Sequence, residues 1–372
     1  MEVPFSKPVI NETMINAAIE CLRNDRLVGG KSVTEFENNF AEYVGTKHAV
    51  AVNSGTAALF LSLKSLGIGE NDLVLTQSAT FIATANAISQ TGAKPIFLDI
   101  NNHDTTISLQ QLITAIKKYG QKIKAILPVH LYGRTGELGP ILEIASDFGI
   151  PVVEDACQAH GATFKNKKAG SFGELGAFSF YSSKNMTVGG DGGMITTNNE
   201  ELAESIRILR NQGSSKENRY KNDVMGYNFR LNSVNASIGN VQLRLLDSWN
   251  KRRKQVATIY HKRFETFEKI GLPPADSDDI KSSWHIYSVR IKQREKLINY
   301  LKSKNIETGI HYPIPVHLQV PYVENMGQYH FSLENTEKWA NENVSLPIYN
   351  DITDEELEYV IEATRDFLGE NY

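Results

Sequence analysis

Two cysteines, Cys21 and Cys157, are the only thiols in this chain of 372 residues. That is too few for a disulfide framework, and it fits a reducing compartment. Positive charge is not in excess: 39 Lys and Arg stand against 43 Asp and Glu, for a net charge of −4. There is no electrostatic case for nucleic acid or an anionic membrane as partner. Long apolar runs are missing too, and none reaches the length of a membrane span. Met1 to Asn11 holds Pro4, Pro8 and charged side chains but no apolar stretch of the signal-peptide kind. Internal repeats, low-complexity segments and an HExxH metal motif are likewise absent. The expectation is a soluble cytoplasmic protein. Its composition, 41% hydrophobic and 22% charged, is that of an ordinary globular enzyme with material for about two domains.

What is present is a regular alternation. An N-terminal arm, residues 1–33, holds an amphipathic helix near Glu12–Arg23 with Met14, Ile15, Ala18, Ile19 and Leu22 on one side. A second helix, Ser32–Val44, carries Phe36, Phe40 and Val44 at fourfold spacing. Apolar runs then recur at Ala49–Val52, Leu73–Leu75, Pro95–Ile100, Ala125–Leu131, Pro151–Glu154, Ala177–Tyr181 and Gly193–Thr196. Helical patterns separate the first five, which predicts an α/β fold with a mostly parallel sheet of seven strands. The long polar connection Asn211–Asn228 reads as a lid, a partner contact or a disordered segment. A long helix begins near Ser233, with Val234, Ile238, Val241, Leu245 and Trp249 as its expected buried stripe and Lys251–Lys254 as a solvated face. The composition shifts at the linker Gly271–Asp276. Beyond it a smaller α+β unit is expected, with strands His285–Ile291 and Glu307–Tyr312 and a last helix opened by a Thr353/Glu356 capping box. The predicted division is an arm (1–33), a large domain (34–250) and a small C-terminal domain (251–372).

Ligands on parallel sheets sit at the carboxyl ends of strands, and the chemistry-bearing residues follow strands here. Lys184 comes just after the run Ala177–Tyr181 and before the turn Gly189-Gly190-Asp191-Gly192-Gly193. A lysine beside a desolvated pocket can have its pKa lowered, as a Schiff-base lysine requires. Taken alone, the stretch is better read as a solvated lysine beside an ordinary turn. Asn53-Ser54-Gly55-Thr56 opens a helix and is either a phosphate cradle or a plain serine cap. Asp155, at the end of a central strand, needs a partner because a bare buried carboxylate is costly, and a protonated ring nitrogen is one such partner. Cys157 and His160 make a weak metal pair; His160 reads rather as a hydrogen-bonding pocket residue. His311 and His317, in a proline-stiffened loop, either face a ligand or lie on the surface.

Seven stretches together carry a resemblance: Asn53–Leu59, Ala79–Asn86, Pro128–Gly133, Glu154–Ala162, Phe178–Asn185, Gly226–Asn228 and His311–Pro315. In order, from about Pro4 to Phe367, the chain resembles the DegT/DnrJ/EryC1/StrS family of pyridoxal-phosphate (PLP) sugar aminotransferases, of the aspartate-aminotransferase fold (fold type I). The resemblance implies that Lys184 is the Schiff-base lysine and Asp155 the partner of the pyridinium nitrogen. It implies that Gln158 bonds the ring hydroxyl and that Phe81 covers the cofactor ring. Gly55, Thr56 and Ser183 match phosphate-binding positions. Asn228 matches a residue that reaches the phosphate of the neighbouring subunit, which implies a homodimer with shared active sites. His311 and Tyr312 are candidates for touching substrate. The implied reaction moves an amino group, with glutamate as donor, onto a nucleotide-linked keto-deoxysugar.

Departures from the family pattern include Met186 after the Lys-Asn pair. The Gly190-Asp191-Gly192-Gly193 form, with Gln158 upstream, resembles C-3 rather than C-4 sugar aminotransferases. Asn235 stands where a small or apolar residue is more usual. Two rivals remain: a PLP- or PMP-dependent sugar dehydratase, which Lys184 opposes, and a non-enzymatic regulator or sensor, which an intact set of cofactor residues opposes.

Overall fold

A computed structural model describes residues 1–215, 220–324 and 331–370. Residues 216–219 of the polar connection, and 325–330 and 371–372 of the C-terminal unit, lie outside the described residues. Two helices open the chain, α1 (Glu12–Asn24) and α2 (Lys31–Val44). There follow β1 (His48–Val52), α3 (Gly55–Ser65), β2 (Leu73–Gln77), α4 (Ile82–Gln90), β3 (Lys94–Leu98), α5 (Leu109–Tyr119), β4 (Ile123–Leu127), α6 (Leu138–Asp147) and β5 (Val153–Asp155). A small hairpin, β6 (Thr163–Phe164) and β7 (Lys167–Lys168), precedes β8 (Leu175–Ser179), β9 (Gly193–Thr197) and α7 (Glu200–Arg210).

The strands form one sheet of order β3-β2-β4-β5-β8-β9-β1. β2 pairs in parallel with β3 and β4, and β5 with β8. Parallel bridges Ile126–Val152 and Val129–Asp155 join β4 to β5. β9 alone is reversed, antiparallel to both β8 and β1. The cause lies in the connections. Each helix crossover carries the chain back so that the next strand runs the same way, whereas no helix joins β8 to β9 and the chain simply turns round. That turn holds Lys184. The carboxyl ends of β1, β5 and β8 therefore converge with the start of β9 on one edge.

Three apolar clusters cover the sheet, including Val50, Leu59 and Ile195; Phe36, Phe40, Phe178 and Phe180; and Leu75, Ile96 and Leu112. A separate core gathers α8 (Ser233–Phe264), β11 (Tyr287–Arg290), α9 (Arg294–Ser303), β12 (Asn343–Leu346) and α12 (Asp354–Glu370) around Val256, Tyr260, Tyr287, Leu301 and Val360, whereas β10 (Ile280–Lys281), α10 (Val320–Val323) and α11 (Glu334–Glu342) pack Ile280, Tyr322 and Trp339 into other clusters. α8 feeds both, since Ala236, Leu243 and Leu246 belong to the large core while Val256, Ala257, Tyr260 and Phe264 belong to the second. Val3 of the arm packs in the second core as well. The predicted capping box forms: Thr353 N–H donates to Glu356 at 2.8 Å and Glu356 N–H to Thr353 Oγ1 at 3.1 Å.

Four expectations change. Glu307–Tyr312 is not a strand; only isolated bridges, Ile306 with Val3 and Gly309 with Ser345, form there. Pro313 and Pro315 follow at once and lack the N–H a ladder needs. The apolar stripe of α1 faces outward: Met14 and Cys21 are buried, but Ile15, Ile19 and Leu22 are exposed. On α8 the buried face is shifted, with Ala236, Gly239, Asn240, Leu243 and Leu246 inside and Val234, Ile238, Leu245 and Trp249 half-buried. Arg253 is not solvated, being 3% exposed. Its guanidinium donates to the carbonyls of Trp284, His285 and Ile348 and to Asn350 Oδ1 at 2.7–3.2 Å. Burial lowers its pKa to about 9. Replacing Arg253 by Leu strands four buried acceptors. A loss of roughly 2–4 kcal/mol is expected in urea unfolding. Lys251→Ala, on the exposed side of the same turn, is expected to stay within about 0.5 kcal/mol.

Candidate active site

A carboxylate ends β5. Asp155 is 4% exposed, and both of its oxygens are engaged by the chain. Oδ2 accepts from Thr84 Oγ1 at 2.7 Å and Oδ1 from the Cys157 N–H at 3.2 Å. Thr84 is itself bonded to Thr80 Oγ1 at 2.8 Å, so α4 aims its first turn at the acid. Next to it Glu154 plays a different part. It is fully buried and accepts from His130 Nε2 and from the N–H groups of Gly170, Phe172 and Gly173 at 2.7–2.9 Å. Burial pushes its pKa up, but these bonds, His130 foremost, overcome that and hold it below the usual glutamate value. Alternation along a strand sends neighbouring side chains to opposite faces, which separates the two roles.

Lys184 sits in the turn between β8 and β9, its N–H bonded to the Tyr181 carbonyl at 2.8 Å. Burial draws its pKa below that of an ordinary lysine, while Cys157 and Asp155 pull the other way. What little of the residue stays accessible faces a cavity which Lys184 lines. The turn is fastened on both sides. Asn185 donates to Asn250 Oδ1 and the Ser283 carbonyl at 2.8 and 2.7 Å. Asn235, without an evident role in the sequence, donates to the Val188 carbonyl at 2.6 Å and so ties the glycine-rich turn to the start of α8.

The cavity measures about 470 Å³ and brings together Gly55, Thr56, Phe81, Asp155, Gln158, Ser183, Lys184, His311 and Tyr312. At one end is the N-terminus of α3. Ser54 Oγ accepts from the Ala57 N–H at 3.1 Å, so the serine does cap. The N–H groups of Gly55 and Thr56 precede the first helical bond and remain for an anion. Phe81, 53% exposed, precedes α4, and its ring centroid lies 5.5 Å from that of Tyr312. Gln158 accepts from the Tyr132 N–H at 2.7 Å and donates to Tyr312 Oη at 3.1 Å, which leaves one amide hydrogen free. His311 bonds Ser345 Oγ at 2.9 Å, and its ring stacks on Phe5. Burial, helped by Lys184, lowers its pKa to about 4, so it is neutral at pH 7.

Three residues lie elsewhere. Asn228 is exposed, bridges Asn211 and does not line this cavity. His317 is buried against Ser78 Oγ at 2.7 Å and is neither surface nor cavity wall. His160 is not a hydrogen-bonding pocket residue. It is 1% exposed with its ring 5.5 and 5.7 Å from Phe178 and Phe180, and neither nitrogen has a partner in hydrogen-bond geometry. Burial lowers its pKa to about 3, reinforced by Lys184 and opposed by the nearby Ser179 backbone. Thr84 and His285 carry no expectation from the sequence, and Cys157 only that of a weak metal pair, yet all three line the cavity. Thr84 and Cys157 lie within Ala79–Asn86 and Glu154–Ala162, but nothing in one dimension shows which way their side chains point.

An anion cradle, a buried carboxylate and a desolvated lysine around a cavity this size are a donor set that fits PLP. Fold and site together define a PLP-dependent enzyme of fold type I. The model of the DegT/DnrJ/EryC1/StrS aminotransferase family matches residues 8–365. The dTDP-3-amino-3,4,6-trideoxy-alpha-D-glucose transaminase of Streptomyces venezuelae is 38% identical, covering 94% of this chain and 91% of that protein. GDP-perosamine synthase of Caulobacter vibrioides is 35% identical, with 97% of each chain covered. Among solved structures, S. venezuelae DesV in complex with a ketimine intermediate superposes with a TM-score of 0.91 at 38% identity, covering 95% of this chain and 94% of that one. The chain belongs to the DegT/DnrJ/EryC1/StrS family and is a PLP-dependent aminotransferase. No helix among the described residues is long and apolar enough to cross a membrane.

A Cβ on Gly55 would stand 2.6 Å from Ser179 Cβ and 3.0 Å from Cys157 Sγ, so only glycine lets α3 start here. Gly55→Ala is expected to weaken PLP binding by about tenfold or more, ~1.4 kcal/mol, in titrations of the apoenzyme. An unchanged Kd would show that this terminus does not hold the phosphate. His160 makes a second test. The unfolded chain takes up its proton near pH 6.5, the folded protein only near pH 3. Between those values the unfolded state binds more protons, so this contribution is intact above 6.5 and is lost as pH falls toward 3. His160→Phe should flatten the fall of the urea midpoint across that window; an unchanged slope would refute the assignment.

Proposed function

We propose that this enzyme transfers an amino group from L-glutamate to a nucleotide-linked keto-deoxysugar, with C-3 favoured over C-4. The observation that carries it is one cavity joining Lys184, Asp155 and the α3 terminus, in a chain whose relatives are named as dTDP- and GDP-sugar enzymes. When bound, PLP supplies an electron sink for the carbon that loses its proton. The protein does the rest. Asp155, held by Thr84 and the Cys157 N–H, keeps a proton on the ring nitrogen. Its position is set before the ligand arrives, so little reorganisation is needed at the moment of reaction. Gln158 has an N–H left that would bond the ring hydroxyl, and Ser183, Gly55 and Thr56 would hold the phosphate. Phe81 and Tyr312 wall the cavity and exclude water. Lys184, whose pKa burial draws below that of an ordinary lysine, is the group placed to carry the proton that the substrate carbon loses.

A homodimer with shared sites fits two exposed features. The apolar stripe Ile15, Ile19 and Leu22 is exposed among the described residues, and Asn228 stands outside its own cavity on a connection bearing the 85%- and 87%-exposed Tyr220 and Met225. A cytoplasmic, soluble enzyme fits the same reading. The dehydratase alternative gains no support, because the lysine it lacks is present and desolvated here.

The test is the absorption spectrum of the holoenzyme before and after L-glutamate, followed by a panel of dTDP-, GDP- and UDP-linked keto-deoxysugars. The spectrum should pass from the pyridoxal to the pyridoxamine form with glutamate and return with one of the sugars. No change with glutamate would overturn the donor, and no return with any sugar would overturn the acceptor.

A further inference from the structure

His285 lies in none of the stretches that carry the family resemblance, yet it lines the same cavity as Lys184. Its tautomer follows from its neighbours. Asn185 Nδ2 donates to the Ser283 carbonyl and to Asn250 Oδ1, and Asn250 Nδ2 donates to the His160 carbonyl at 2.8 Å. Backbone carbonyls only accept, so they set the orientation of both amides. A flipped Asn185 would turn its oxygen on Ser283, and a flipped Asn250 would turn its oxygen on His160. Asn185 Oδ1 is therefore an acceptor, 3.0 Å from His285 Nδ1, and Nδ1 must carry the proton. Burial first, then the charges of Lys184 and Arg253, hold the ring well below the usual histidine pKa. A neutral ring has a single proton, so Nε2 is a bare lone pair. It makes no hydrogen bond among the described residues and is not one of the sealed, unpartnered atoms. The cavity is the space left to it.

We propose that His285 is a substrate-contacting residue whose Nε2 accepts a hydrogen bond from a keto-sugar hydroxyl beside the reacting carbon. The assignment rests on the sugar reading above. A fixed lone pair rejects phosphate and carboxylate, which only accept, and selects a donor. On glutamate the one donor is the ammonium, which is consumed at the reacting centre, whereas a deoxysugar retains hydroxyls next to its carbonyl. Asn185 is the positioning residue: it fixes which nitrogen faces the ligand, as partners of the second ring nitrogen do for histidines generally.

Two measurements test this. In holoenzyme with 15N-labelled histidine, the resonance missing from His285→Phe or His285→Gln should show a protonated Nδ1 and a bare Nε2 from about pH 6 to 8. A proton on Nε2 would overturn the proposal. The two half-reactions are then followed separately by absorbance, first with L-glutamate and then with the keto-sugar panel. His285→Phe should lose about tenfold or more in the sugar half relative to its own glutamate half, in KM more than in kcat. His285→Gln, whose amide offers a donor and an acceptor at similar separation, should recover most of that loss. An equal loss in both halves would overturn the proposal, as would no loss. A loss confined to glutamate would assign the lone pair to the donor's ammonium instead and also overturn it. If no sugar returns the wild-type spectrum, the sugar reading fails and takes this assignment with it. If the wild type turns over and His285→Phe matches it, this assignment fails alone.

Discussion

A carboxylate kept from water at the end of a central strand is the constraint on which this structure turns. An unpaired buried charge is costly, and Asp155 avoids that cost only through groups supplied from elsewhere. Thr84 comes from the start of α4, the Cys157 N–H from the turn after β5, and Lys184 from the turn after β8. Those three arrive together because parallel strands place every following loop on one edge of the sheet. The reversal of β9 keeps the lysine there, since a connection that turns back to pair antiparallel does not carry the chain to the far edge.

The lysine turn is held by polar contacts as well as by Met186 and Val188, which pack into the core beside Phe180. Asn185 reaches Asn250 on α8 and Ser283 ahead of β11, while Arg253, one helical turn beyond Asn250, gathers the Trp284, His285 and Ile348 carbonyls. A buried network of this kind specifies a unique geometry only if every member is satisfied. Asn185 and Arg253 meet that condition. His160, its ring tilted against those of Phe178 and Phe180 and both its nitrogens unpartnered, does not. The same network places three neutral histidines, His160, His285 and His311, near one lysine, each held neutral by burial and by the lysine's own charge. The cavity thus offers acceptors and donors without adding competing cations to the one that must react.

Much of this was legible in one dimension. Periodicity gave seven apolar runs and the helices between the first five, because parallel strands buried on both faces read as continuous apolar stretches. The motif residues Gly55, Thr56, Phe81, Asp155, Gln158, Ser183, Lys184, His311 and Tyr312 do come together in one cavity. Side-chain direction was harder to read. The α1 stripe faces outward and the α8 face is rotated, because apolar spacing shows that a face exists without showing what covers it. Arg253 looked solvated among four basic residues, since charge runs usually are. Glu307–Tyr312 looked like a strand until its neighbours showed only isolated bridges.

The order of strands and helices, the glycine at the head of α3 and the identity of the acid and the lysine are local matters. They depend on period, on conformational freedom and on residue chemistry, all of which are written along the chain. Which nitrogen of His285 bears its proton, why Asn235 is an asparagine and why Arg253 is buried are not local. Each depends on partners tens of residues away, and such contacts exist only once the loss of chain entropy has been met by the whole core. The chemistry was therefore determined by sequence, and its orientation was decided by tertiary structure.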